Sequence, residues 1–130
     1  MTANDPRPAL AGLRAFIAED EFHVLQLIED MLADLGCVIS DSVSSIGAAL
    51  DRATKTDAQI AILDVNLRGK AVFPVAQILR DRAIAIVFST GYGADGIEPQ
   101  WQACPVIQKP FTVAQLEAAL ARLVETMMQK

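Results

Sequence analysis

The stretch Ala58-Gln59-Ile60-Ala61-Ile62-Leu63-Asp64 decides the fold: a nearly unbroken apolar run ends on a carboxylate. A short apolar run bounded by polar residues reads as a strand buried on both faces, as in a parallel sheet covered by helices. Open α/β sheets bind their ligands at the carboxyl ends of the strands. An ionised group buried alone at such a place is costly. Asp64 therefore reads as a site residue whose charge other residues must offset.

Strand-like and helix-like patterns alternate on both sides of this run. Strands are expected over 13–18, 37–41, 59–63, 84–88 and 106–108. The first helix is expected over 21–35, with Val24, Leu27, Ile28, Met31, Leu32 and Leu35 on its inner face and Gly36 as its stop signal. Ser44 or Ser45 is expected to cap a second helix to about Ala53, with Ile46, Ala49 and Leu50 turned inward. Asn66-Leu67-Arg68-Gly69 reads as a turn. Pro74 fits the first turn of a third helix ending near Arg82, and Thr112 is expected to cap a last helix to Met127. The segment 89–99 is rich in glycine and ends on a proline, so a fourth helix there is degenerate. Five strands alternating with helices predict an α/β, doubly wound, five-stranded parallel sheet with helices on both faces. Lys109-Pro110 follows the fifth strand, which makes Pro110 a candidate for a cis peptide bond.

A chain of 130 residues with about half its residues hydrophobic is long enough for one domain with a real core. Residues 1–12 carry two prolines and no apolar core and are expected to form a flexible leader, with the folded domain over 13–128. The net charge is −5 and no basic run exists, which argues against nucleic-acid binding. No apolar stretch approaches the about 20 residues that span a bilayer. Cys37 and Cys104 lie far apart and read as reduced thiols of a cytoplasmic protein.

In a parallel sheet, the residues just after the strands share one edge: Glu19 and Asp20, Asp64, Thr90 and Lys109. Carboxylates side by side repel one another and attract a cation. Hard oxygen donors with few protein contacts suit Mg²⁺. The Thr90 hydroxyl and the Lys109 ammonium are donors suited to phosphate oxygens. The set is chemically complete for phosphoryl transfer to Asp64 as a carboxylate nucleophile.

With Glu19-Asp20, Asp64, Thr90 and Lys109-Pro110-Phe111 in this order, the chain resembles a response-regulator receiver domain of the CheY-like superfamily. The resemblance covers everything after the leader. It implies a flavodoxin-like sheet of strand order 2-1-3-4-5, and Asp64 as acceptor of phosphate from a phosphohistidine on a sensor histidine kinase or histidine phosphotransfer protein. It implies Mg²⁺ held by Asp20, by Glu19 through water, by Asp64 and by the backbone carbonyl of Asn66. Thr90 and Lys109 would contact the phosphoryl group. Asn66 and Tyr92, two residues beyond Asp64 and Thr90, would flank the route of an attacking water. Asp64-Val65-Asn66-Leu67, Phe88-Ser89-Thr90-Gly91-Tyr92-Gly93 and Gln108-Lys109-Pro110-Phe111 resemble a single-domain alphaproteobacterial subgroup known for a Phe-Ala-Thr-Gly-Tyr signature, with Ser89 in place of the alanine. The expectation is a stand-alone phosphorelay receiver without an output domain, monomeric or weakly dimeric. It would pass its signal to a downstream protein or hand its phosphoryl group on. It would not be an enzyme beyond self-phosphorylation from small donors and autodephosphorylation.

Two positions depart from the family. Val106 stands where most receivers carry a switching aromatic residue, and Asn66-Leu67-Arg68-Gly69 replaces the usual Met-Pro turn. Other features read as structural. The Glu19-Asp20-Glu21 run also suits a helix start, His23 reads as a surface residue, and Trp101 as a half-buried packing residue. Gly91-Tyr92-Gly93-Ala94-Asp95-Gly96 matches a dinucleotide fingerprint in letters only, since it follows the fourth strand and runs into Pro99. The alternative functions are an aspartate-nucleophile phosphohydrolase, for which Asn66 lacks the required acid, and a binding module that works without phosphorylation.

Overall fold

Strand β3 (Ile60–Asp64) is buried along its whole length, and its side chains divide the core in two. The computed structural model describes residues 10–91 and 96–128. Around β3 lie β1 (Arg14–Ala18), β2 (Val38–Val43), β4 (Ala85–Thr90) and β5 (Val106–Gln108), all parallel, in the order β2-β1-β3-β4-β5. The helices are α1 (Phe22–Asp34), α2 (Ile46–Ala53), α3 (Phe73–Asp81) and α4 (Val113–Met128). Ala61 and Leu63 of β3, with Phe16 and Phe88, face the cluster under α2 and α3. Ile60 and Ile62, with Ile17, Val87 and Ile107, face the cluster under α1 and α4. This alternation is the two-residue period of a strand covered on both sides.

Local signals explain the element ends. The Ser45 hydroxyl accepts the Ala48 N–H at 3.3 Å and caps α2. Thr112 and Gln115 form a reciprocal box at the start of α4, with bonds of 2.8 and 3.1 Å. Gly36 ends α1 at a φ of +86° that a residue with a Cβ rarely adopts. Leu10 is fully buried and Gly12 donates to the Gly36 carbonyl, so packing begins three residues before the expected start at Leu13. Residues 1–9 of the expected leader lie outside the described residues. No helix among the described residues is long and apolar enough to cross a membrane.

Two expectations need correction, and the expected turn after Asp64 proves more regular than its sequence suggests. Leu27 is not on the buried face of α1: it is 49% exposed and Phe22 is 70% exposed. The first turns of α1 overhang the carboxyl edge of the sheet, and burial is restored at Ile28, Leu32 and Leu35, where sheet lies beneath. Trp101 is not half-buried but fully buried. It stacks on Phe73 (6.2 Å, 18°), meets Phe88 edge-on (5.9 Å), and carries the Arg80 guanidinium 3.9 Å from its ring centroid. The turn after Asp64 is a small antiparallel hairpin, Asn66–Leu67 against Lys70–Ala71. Between β4 and β5 the described residues hold one 3₁₀ turn, Pro99–Trp101.

Candidate functional site

The register of the sheet assembles the site. Ala18 pairs with Leu63, so the next residues, Glu19 and Asp64, lie side by side at the carboxyl edge of the sheet. Asp64 pairs with Ser89, and Thr90 pairs with Gln108, which puts Thr90 and Lys109 on the same edge. Thr90 accepts the Lys109 N–H through its carbonyl at 2.8 Å. The Lys109–Pro110 peptide bond is cis.

The Lys109 ammonium is the hub. Its Nζ lies 3.1 Å from Asp64 Oδ2 and 3.1 and 3.3 Å from the two carboxylate oxygens of Glu19. Glu19 is fully buried, Asp64 is 6% exposed and Thr90 3%. Asp64 Oδ1 accepts the Asn66 N–H at 3.3 Å, and Glu19 Oε2 accepts the Glu21 N–H at 3.1 Å. Asp20 Oδ2 accepts the Arg68 N–H at 2.8 Å. The Asn66 carboxamide oxygen accepts the Gly69 N–H at 2.7 Å, so that side chain closes the hairpin turn.

The electrostatics follow from burial and crowding. Burial pushes Glu19 up to about 7, with the Asp64 charge adding to the rise against the Glu21 N–H and Lys109. Burial also raises Asp64, against the pull of Lys109. Burial would lower Lys109, but the Asp64 and Glu19 charges outweigh it and raise it. Burial acts upward on Asp20 as well, but the Arg68 N–H and the neighbouring Glu19 and Asp64 carboxyls hold it below the ordinary range. One ammonium thus serves a crowd of acids and leaves the site able to take more positive charge.

Carboxylate oxygens of Glu19, Asp20 and Glu21 lie within 4.8 Å of one another. Glu21 was legible only as a helix-start acid, because its place in the cluster depends on how α1 begins. A cavity of about 790 Å³ opens over the site. Asp20, Asp64, Thr90 and Lys109 form its polar side, and Val24, Leu27 and Phe111 its apolar side. The Ser89 hydroxyl is buried without a hydrogen-bond partner among the described residues, so replacing the subgroup's alanine is not a neutral exchange there. Val106, at the expected aromatic position, is half-buried among the Phe88 and Trp101 cluster. Tyr92 lies outside the described residues. His23 is exposed on α1.

The family model for the response regulator receiver domain matches residues 15–121. Among solved structures, SdrG from Sphingomonas melonis Fr1 is 38% identical, with a TM-score of 0.78 over 87% of this chain and 97% of SdrG. SdrG in its BeF3-activated conformation, with its source given as Pseudomonas melonis Fr1, matches with a TM-score of 0.75 at 38% identity, over 88% of this chain and 98% of SdrG. The response regulator PhyR from Brucella abortus shares the fold at 22% identity and a TM-score of 0.78; 93% of this chain covers 52% of PhyR, about half its length. No curated protein matches the chain significantly.

Proposed function

The chain belongs to the response regulator receiver domain family, and on that premise we propose that Asp64 is its phosphoacceptor in two-component or phosphorelay signalling. The observation that carries the reading is the Lys109 ammonium held 3.1 Å from Asp64 Oδ2, with Thr90 on the adjacent strand end. A carboxylate oxygen of Asp64 attacks the phosphorus of a phosphohistidine on the partner. The new P–O bond forms as the P–N bond breaks, and the bonding pair leaves on the imidazole. Asp64 has no proton to lose once ionised, so no positioned base is needed. Lys109 offsets charge on the transferring group, and the Thr90 hydroxyl donates to one of its oxygens. The structure of SdrG in a BeF3-activated conformation supports the reading, since trifluoroberyllate has the tetrahedral shape of a phosphoryl group.

The all-oxygen donor set fits a hard divalent cation such as Mg²⁺, since Glu19, Asp20 and Glu21 bring carboxylate oxygens within 4.8 Å of one another. Glu19, Asp20, Asp64 and the backbone carbonyl of Asn66 would hold it, with Glu21 as a further oxygen donor. When bound, it supplies positive charge against the carboxylates and the transferring phosphoryl.

The apolar rim of the cavity, with exposed Leu27 on it and exposed Phe22 on the same helix, supports docking of a sensor histidine kinase or histidine phosphotransfer protein. The signal then passes by protein binding or onward transfer. By the family resemblance, Asn66 and Tyr92 are assigned to control of the water that ends the state, and Tyr92→Ala is expected to speed dephosphorylation. At Asn66 the carboxamide is engaged with Gly69, and no acid stands there for a phosphohydrolase. Intact mass after incubation with Mg²⁺ and acetyl phosphate tests the proposal: a gain of one phosphoryl group, lost in Asp64→Asn, is expected. No gain, or a gain that survives Asp64→Asn, sinks it.

A further inference from the structure

We propose that the Arg68-Gly69 turn is a positioning element of the cation site, its Arg68 backbone N–H holding Asp20 inward and so setting the affinity for the divalent ion. This rests on the reading of Glu19, Asp20 and Asp64 as cation ligands. Of those three ligands, Asp20 is the acid with freedom to leave. Glu19 is fully buried and tied to Lys109, whereas Asp20 is only half-buried and borders solvent. Repulsion among Glu19, Asp20 and Glu21, with oxygens within 4.8 Å, favours turning one of them outward. The Arg68 N–H opposes that movement at 2.8 Å from Asp20 Oδ2. A neutral donor restrains the carboxylate without bringing a full charge that competes with the cation.

The donor exists only while the turn is closed. Leu67 pairs with Lys70, and the two loop residues between them have φ of +52° (Arg68) and +84° (Gly69), the signature of a type I′ turn. Asn66 holds it shut by accepting the Gly69 N–H at 2.7 Å. Arginine is a poor residue for the left-handed region, where asparagine is tolerated. The turn therefore balances a side-chain clasp against backbone strain. An ion that needs Asp20 facing inward binds in proportion to the closed fraction.

Mg²⁺ titration of the full chain by isothermal calorimetry tests this, with thermal melts verifying the fold. A Cβ at Gly69 would meet nothing within 4 Å, so Gly69→Ala loads the turn with backbone strain alone. It is expected to weaken Mg²⁺ binding about fivefold. Arg68→Asn and Arg68→Gln both remove the exposed positive charge, but only the first favours the turn. Arg68→Asn is expected to bind more tightly than Arg68→Gln and to restore affinity in the Gly69→Ala background, where Arg68→Gln does not. If the parent binds Mg²⁺ and Gly69→Ala binds equally well, or if the asparagine and glutamine variants are indistinguishable, the positioning role is overturned while the cation site stands. A parent that binds no Mg²⁺ overturns both.

Discussion

Lys109 bridges two buried acids and pulls both downward, yet burial outweighs it at each. Asp64 and Glu19 are both raised by burial, Glu19 to about 7 from an ordinary 4.5. A carboxyl raised in the folded state binds a proton that the unfolded chain releases. Its stabilising contribution is complete below pH 4.5 and is lost as pH rises toward 7. Without divalent ions, thermal melts should therefore show stability falling across that window, by on the order of 3 kcal/mol. Glu19→Gln should flatten the profile, and an unchanged slope would contradict the assignment. Asp20, lowered in the folded state, acts oppositely, and its contribution is lost only below its ordinary value of 3.8. Lys109→Ala should separate binding from chemistry. Removing the ammonium should tighten Mg²⁺ binding, measured by calorimetry, while acetyl phosphate labelling falls about tenfold or more. At this scale the sequence was informative where strands end on polar residues: Glu19, Asp20, Asp64, Thr90 and Lys109 announced themselves by following apolar runs. Glu21 and Arg68 did not. Their places depend on how one helix begins and on a left-handed turn that no residue type at 68 signals.

The elements carry the same contrast. Period and caps made the five strands and four helices legible, because each is long enough to show a face. The Asn66–Ala71 hairpin has two-residue strands and therefore no period to read. Trp101 sits in a short 3₁₀ turn, where burial is set by tertiary contact with Phe73, Phe88 and Arg80 rather than by spacing. That tryptophan closes the core beside Phe73 and Phe88. Trp101→Ala should cost about 3–5 kcal/mol in denaturant unfolding, whereas Arg80→Ala, which removes the exposed cation over the ring, should cost about 1 kcal/mol or less. Equal losses would mean that the ring is held by its charge contact rather than by burial.

In the whole molecule, a parallel sheet registers four strand ends on one edge, and helices cover both of its faces. The order β2-β1-β3-β4-β5 puts β3 in the middle with β1 and β4 as neighbours, so Asp64 is flanked by Glu19 on one side and by Ser89 and Thr90 on the other. The cost of the buried carboxylate is thereby offset by groups that the sheet itself delivers. The overhang of α1 adds an apolar wall where a partner can approach. The proposed role of this edge is to carry a phosphoryl group on Asp64. Acyl phosphates are reduced by borohydride to the alcohol, which marks the modified carboxylate permanently. The deciding measurement is peptide mass mapping after acetyl phosphate, Mg²⁺ and borohydride treatment. Reduction is expected at Asp64 alone, dependent on the phosphodonor. Reduction at Glu19, Asp20 or Glu21 instead, or at no carboxylate in the site, would contradict it.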